Sequence, residues 1–136
     1  MELEKSFKKI IDRRRKEILD KKSKNIRDVS SKKENGKESC YHVMQCESLT
    51  FLKQSNSDEK YFILERWKRI EIIGTPAAKN LKVGDIEYRL CYYIMSRKPE
   101  TKTPGRWIYG QYSPMISHED LFKLLELAKS EGTIET

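Results

Sequence analysis

No apolar run in the 136-residue chain approaches the roughly 18–20 residues that a membrane-crossing helix needs. There is no glycine-rich phosphate loop either: Gly74 and Gly84 stand alone, and Gly105 and Gly110 form no nucleotide fingerprint, so Rossmann and P-loop folds are disfavoured and no cofactor is expected. Histidine occurs twice, at His42 and His118, which leaves little material for a general base. The three cysteines, Cys40, Cys46 and Cys91, are an odd number in a chain that shows no secretory leader pattern. Reduced thiols and a cytoplasmic setting are the expectation. Cys40, His42 and Cys46 do not make a zinc site, because a straight strand separates Cys40 from Cys46 by about 20 Å.

Charge is plentiful and unevenly placed. Residues 1–38 carry 14 Lys/Arg against 8 Asp/Glu, whereas residues 39–136 carry 14 against 13. A cationic segment of this kind suits polyanionic partners, nucleic acid first and an anionic membrane surface second. The plainer reading is a solvated extension that keeps the chain in solution. With 37% apolar and 36% charged residues, the composition fits one small folded domain with a polar extension.

From Leu3 to Leu19 the apolar residues Leu3, Phe7, Ile10, Ile11 and Ile18 fall on one side of a helix, with Lys8, Lys9, Arg13, Arg15 and Lys16 opposite and Arg14 breaking the stripe. Such a helix needs a partner surface, either the domain itself, a second copy or another protein. Residues 21–39 hold only Ile26 and Val29 as sizeable apolar residues and predict a flexible linker, so the first segment is set at 1–38 and the folded part at 39–136. From residue 39 the period changes to two. Strands are expected over Tyr41–Cys46 with Leu49–Leu52 continuing or following, Tyr61–Ile73, Ile86–Met95 and Arg106–Ser113, and a short helical turn after Thr75–Pro76. Gly110, in mid-strand, marks a bulge or a close approach by another group. Ser117 as N-cap and Gly132 as stop bound a last helix. The predicted fold is α+β: a curved antiparallel sheet of about five strands, open or closed toward a barrel, capped by a C-terminal helix and preceded by a mobile basic amphipathic one.

Functionally, the region from Tyr88 to Pro114 draws attention. Tyr93, Trp107 and Tyr109 offer flat faces for bases, with Arg89, Arg97, Lys98, Lys102 and Arg106 nearby for phosphates and Arg13, Arg14 and Arg15 adding attraction from the first helix. The same rings could equally fill a sheet core. The expectation is a nucleic-acid-binding module, DNA or RNA. The runner-up is an assembly or protein-interaction subunit, a homo-oligomer or one with a protein partner, acting through Leu3–Leu19. Third comes a metal-dependent nuclease built from carboxylates such as Glu65, Glu71, Asp85 and Glu87 with Lys79; no compact acidic motif favours it, and an enzyme is the lesser expectation.

Overall fold

A computed structural model describes residues 2–22, 25–29, 41–74, 80–96, 105–110 and 113–135. Helix α1 (Glu2–Leu19) is followed by five strands, β1 (Ile26–Val29), β2 (Tyr41–Lys53), β3 (Lys60–Ile73), β4 (Ile86–Met95) and β5 (Trp107–Gly110), and by helix α2 (His118–Glu131). The strands form one antiparallel sheet in the order β1-β2-β3-β4-β5, a meander whose neighbours are all consecutive in the chain. The sheet is curved and not closed. Part of its irregularity is local: Glu47 is an extra residue between Cys46 and Ser48, so alternation resumes in opposite phase beyond it and Leu49 and Phe51 join the same side as Met44 and Cys46.

Period two then sorts the core into two layers. Odd-numbered Tyr61 and Ile63 of β3, with Cys91 and Tyr93 of β4, pack beneath Phe7 and Ile11 of α1. Even-numbered Phe62 and Leu64 pack against Leu124 and Ala128 of α2, with Leu90 and Tyr92 alongside. Each helix therefore buries its stripe on its own face of the sheet. Alternation in the sequence places Tyr88, Leu90, Tyr92 and Ile94 opposite Arg89, Cys91, Tyr93 and Met95, and the two clusters divide β4 in that way.

Two features depart from the sequence reading. The segment that reads as a linker supplies a strand, since Ile26–Val29 lies antiparallel to Val43 and its neighbours in β2. Its stability comes from the ladder, which no local composition reveals. Next, α1 is docked, with Phe7 and Ile11 0% and 1% exposed in the main cluster, so its apolar stripe meets this chain's own sheet. The strand expected over Tyr61–Ile73 is present and unbroken, as β3. The short helical turn expected after Thr75–Pro76 falls outside the described residues, as do residues 30–40 and 97–104.

Helix α2 begins and ends where its caps place it. Ser117 Oγ accepts from the Asp120 amide at 3.1 Å, and Gly132 closes the helix at φ 81°. The Asp120 carboxylate does not fold back onto Ser117; its Oδ2 accepts from the amide and hydroxyl of Ser55 and ties α2 to the β2–β3 turn. Gly110 answers to a close approach as well. A Cβ there would overlap the Tyr92 ring, which lies across the β5 backbone. Gly110→Ala should therefore cost about 1–3 kcal/mol through overpacking, measured by urea unfolding; an unchanged midpoint would show that the ring can swing aside.

Candidate nucleic-acid interface

Two surfaces of α1 matter, one facing the sheet and one facing solvent. Toward the sheet, Glu65 sits at the centre of β3 with no exposed surface. A carboxylate at such a position needs donors, and four side chains provide them. Arg14 Nη2 donates to Oε2 at 2.6 Å, Arg89 Nε to Oε1 at 2.8 Å and Trp67 Nε1 to Oε1 at 3.0 Å. The Tyr109 hydroxyl lies 3.2 Å and 3.3 Å from the two oxygens and 3.0 Å from Cys91 Sγ. The Arg89 guanidinium also covers the Trp67 ring at 4.9 Å, and Arg14 lies 5.8 Å from the Tyr109 centroid.

Burial alone would raise the Glu65 pKa, but the neighbouring Arg14 and Arg89 charges, with hydrogen bonds from Arg14 and Trp67, hold it below the ordinary carboxylate value. Burial, reinforced by the Glu65 charge, pushes the Cys91 thiol up to about 12 and Cys46 up to about 11. Both are free thiols held as protonated, weakly nucleophilic groups. Tyr109 is raised for the same two reasons, burial first and Glu65 second. Arg14 interrupts the apolar stripe of α1 in sequence, and in the structure it is the tether that fastens the helix to the sheet.

The predicted base-stacking rings are distributed accordingly. Tyr93 is buried and meets Phe7 edge-on at 5.5 Å and Tyr109 at 5.2 Å. Trp107 packs edge-on to Phe7 and Tyr61, and its Nε1 donates to Ser6 Oγ at 2.9 Å. Tyr93, Trp107 and Tyr109 thus form the bed on which α1 rests, while Tyr92 faces α2. Of the predicted phosphate contacts, Arg14 and Arg89 engage Glu65, and Arg15 donates to the Leu49 carbonyl and to Glu131, clasping α1 to α2 across the edge of β2. Arg13 and Arg106 are exposed. Arg97, Lys98 and Lys102 lie outside the described residues.

Of the carboxylates in the nuclease reading, Asp85 and Glu87 come together on one arginine and Glu65 stands apart from them, while Lys79 lies outside the described residues. Arg69 binds Asp85 at 2.9 Å and Glu87 at 3.1 Å, which closes the β3–β4 connection, while Glu65 is engaged elsewhere. Among the described residues no group of three or more His, Cys, Asp or Glu is placed to hold a metal ion.

Toward solvent, α1 presents Lys5, Lys8, Lys9, Arg13 and Lys16, followed by Lys21 and Lys22 after its end, all exposed. None of the seven forms an ion pair among the described residues, whereas Arg14 and Arg15 on the inner side both do. Lys5, Lys9, Arg13 and Lys16 lie along one line of the helix over roughly 16 Å, from a rise of about 1.5 Å per residue. Sequence reasoning singles out Arg13, Arg14 and Arg15 together; the helical period separates Arg13 from the other two and joins it to Lys5, Lys9 and Lys16.

The architecture defines this chain as an α+β domain in which an antiparallel meander is held between two helices. Comparison with protein-family models, curated proteins and solved structures finds no match for it. Among the described residues no helix is long and apolar enough to cross a membrane.

Proposed function

We propose that the protein is a nucleic-acid-binding module whose phosphate contacts are made by the solvent face of α1. The observation that carries this reading is the row Lys5, Lys9, Arg13 and Lys16, exposed and without acidic partners among the described residues on a helix whose other side is anchored in the core. A fixed helix presenting a line of free cations binds a phosphate backbone without first ordering a flexible tail. With the rings of Tyr93 and Trp107 engaged beneath α1, recognition rests on phosphates rather than on base stacking, and affinity is expected to depend little on sequence. The assembly reading draws little support from Leu3–Leu19, since Phe7, Ile10, Ile11 and Ile18 of that stripe pack within the chain and Leu19 at its end is the large apolar residue left exposed on α1.

Fluorescence anisotropy of a labelled oligonucleotide, repeated over a range of salt concentrations, tests the proposal. Binding should weaken linearly in log salt. Replacing Lys5, Lys9, Arg13 and Lys16 with glutamine should flatten the slope by about 3, from roughly 0.7–0.9 per phosphate contact removed. These four positions face away from the core, so the variant should unfold like the parent. No binding at low salt, or a slope unaltered in the variant, would rule the reading out.

A further inference from the structure

Beside the N-terminal end of α1 lies a cavity of about 440 Å³ lined by Glu2, Leu3, Glu4, Lys53, Asp58 and Tyr61. Tyr61 is 3% exposed, its ring stacked on Phe7 with centroids 3.8 Å apart and planes within 6°. Its hydroxyl has no hydrogen-bond partner among the described residues, and the side chain lines the cavity. Burial raises the Tyr61 pKa first, and the charges of Glu4, Lys53 and Asp58 also act on the group, which places its hydroxyl among them.

The charges around this hydroxyl do not cancel. Lys53 is paired with Asp58 at 3.1 Å, which leaves Glu2 and Glu4 without ion pairs among the described residues. The positive end of the helix dipole offsets about half a charge, so the cavity wall stays anionic. Phosphate and carboxylate ligands are thereby excluded. An inorganic cation is a poor fit as well, because no three carboxylates, histidines or cysteines among the described residues are gathered closely enough to ligate one. What remains is a larger cation with an apolar stem, whose charged head the Glu2 and Glu4 carboxylates would attract, whose donor would meet the phenol oxygen and whose methylenes would cover Leu3.

We propose that this cavity binds an alkylammonium or alkylguanidinium group, either of a free amine or of a lysine or arginine side chain on a peptide. The site is separate from the cationic row of α1, and nothing in it depends on nucleic-acid binding.

Titration of the full chain with n-butylammonium, n-butylguanidinium and a capped Gly-Lys-Gly peptide, followed through the Leu3 methyl and Tyr61 ring resonances by NMR, tests it. Saturable shifts with Kd on the order of millimolar are expected. Glu4→Gln should weaken binding by up to about fivefold, the upper range for one exposed charge pair. Tyr61→Phe, which keeps the ring and its stack on Phe7, should weaken it by a smaller factor. Tighter binding of the peptide assigns the site to a protein partner, and tighter binding of the free cations assigns it to a small amine. Shifts that fail to saturate, or a Kd unaltered in both variants, overturn the proposal.

Discussion

Glu65→Ala should destabilise the protein by about 3–5 kcal/mol, the usual cost of stranding the partners of a buried ion pair. The reason is specific to this carboxylate. Arg14 and Arg89 approach it from a helix and from the adjacent strand, and without it two guanidiniums face each other beneath α1. Arg14 has no second acidic partner among the described residues, and its Nη1 already lies buried without a hydrogen bond. The hydrogen bonds of Trp67 Nε1 and of the Tyr109 hydroxyl to this side chain go with it. Urea unfolding monitored by tryptophan fluorescence would measure the loss; a change below about 1 kcal/mol would mean that solvent replaces the carboxylate readily and that the centre is less enclosed than its geometry implies.

The same residue predicts a pH dependence. Its carboxyl is held below the ordinary value in the folded protein, so the unfolded chain binds the proton more tightly. The stability it contributes is complete above the unfolded-state pKa of about 4.3 and is lost as pH falls through the lower folded-state value. The parent should lose stability from about pH 4 downward, and Glu65→Gln should show a shallower decline over that window, because its amide does not titrate.

Phe7→Ala is expected to cost about 3–5 kcal/mol, a large part of the roughly 5–15 kcal/mol that stabilises a domain of this size. Phe7 has no exposed surface, stacks on Tyr61 and meets Phe51, Tyr93 and Trp107 edge-on. Alanine leaves a cavity at the meeting point of four rings from four strands, and none of those strands can close it without breaking register with its neighbour. Loss of the near-ultraviolet circular dichroism of Trp107 should accompany the drop in stability. A cooperative transition at the parent's midpoint would show instead that α1 is an appendage. On that outcome turns whether the basic helix presents its cations from a fixed position.

Much of the architecture can be read along the chain because its determinants are local. Ser117 and Gly132 bound α2 through their own backbone geometry, and strict alternation by itself sorts Tyr88–Met95 into two faces. Gly110 in mid-strand signals either a bulge or a close approach, and the Tyr92 ring across it decides for the second. β1 is different: Ile26–Val29 has too little apolar surface to declare itself and becomes a strand only against β2. Glu65 is legible in part, since alternation puts it on a face with Tyr61, Ile63 and Trp67, and a charge among such neighbours implies a partner. The partners themselves are not legible, because Arg14, Arg89 and Tyr109 lie 51, 24 and 44 residues away.

By itself, then, the sequence determined an α+β chain with a capped final helix, a set of alternating strands and a cationic amphipathic helix at the start, each set by periodicity or by a cap acting within a few residues. The order in which the strands pair as a meander was not among these. Tertiary structure alone decided what those parts face. It turned the aromatic rings of β4 and β5 from a surface into a bed for α1, made Arg14 a tether and left Arg13 exposed to solvent, because the direction of a side chain in three dimensions depends on what packs against its element.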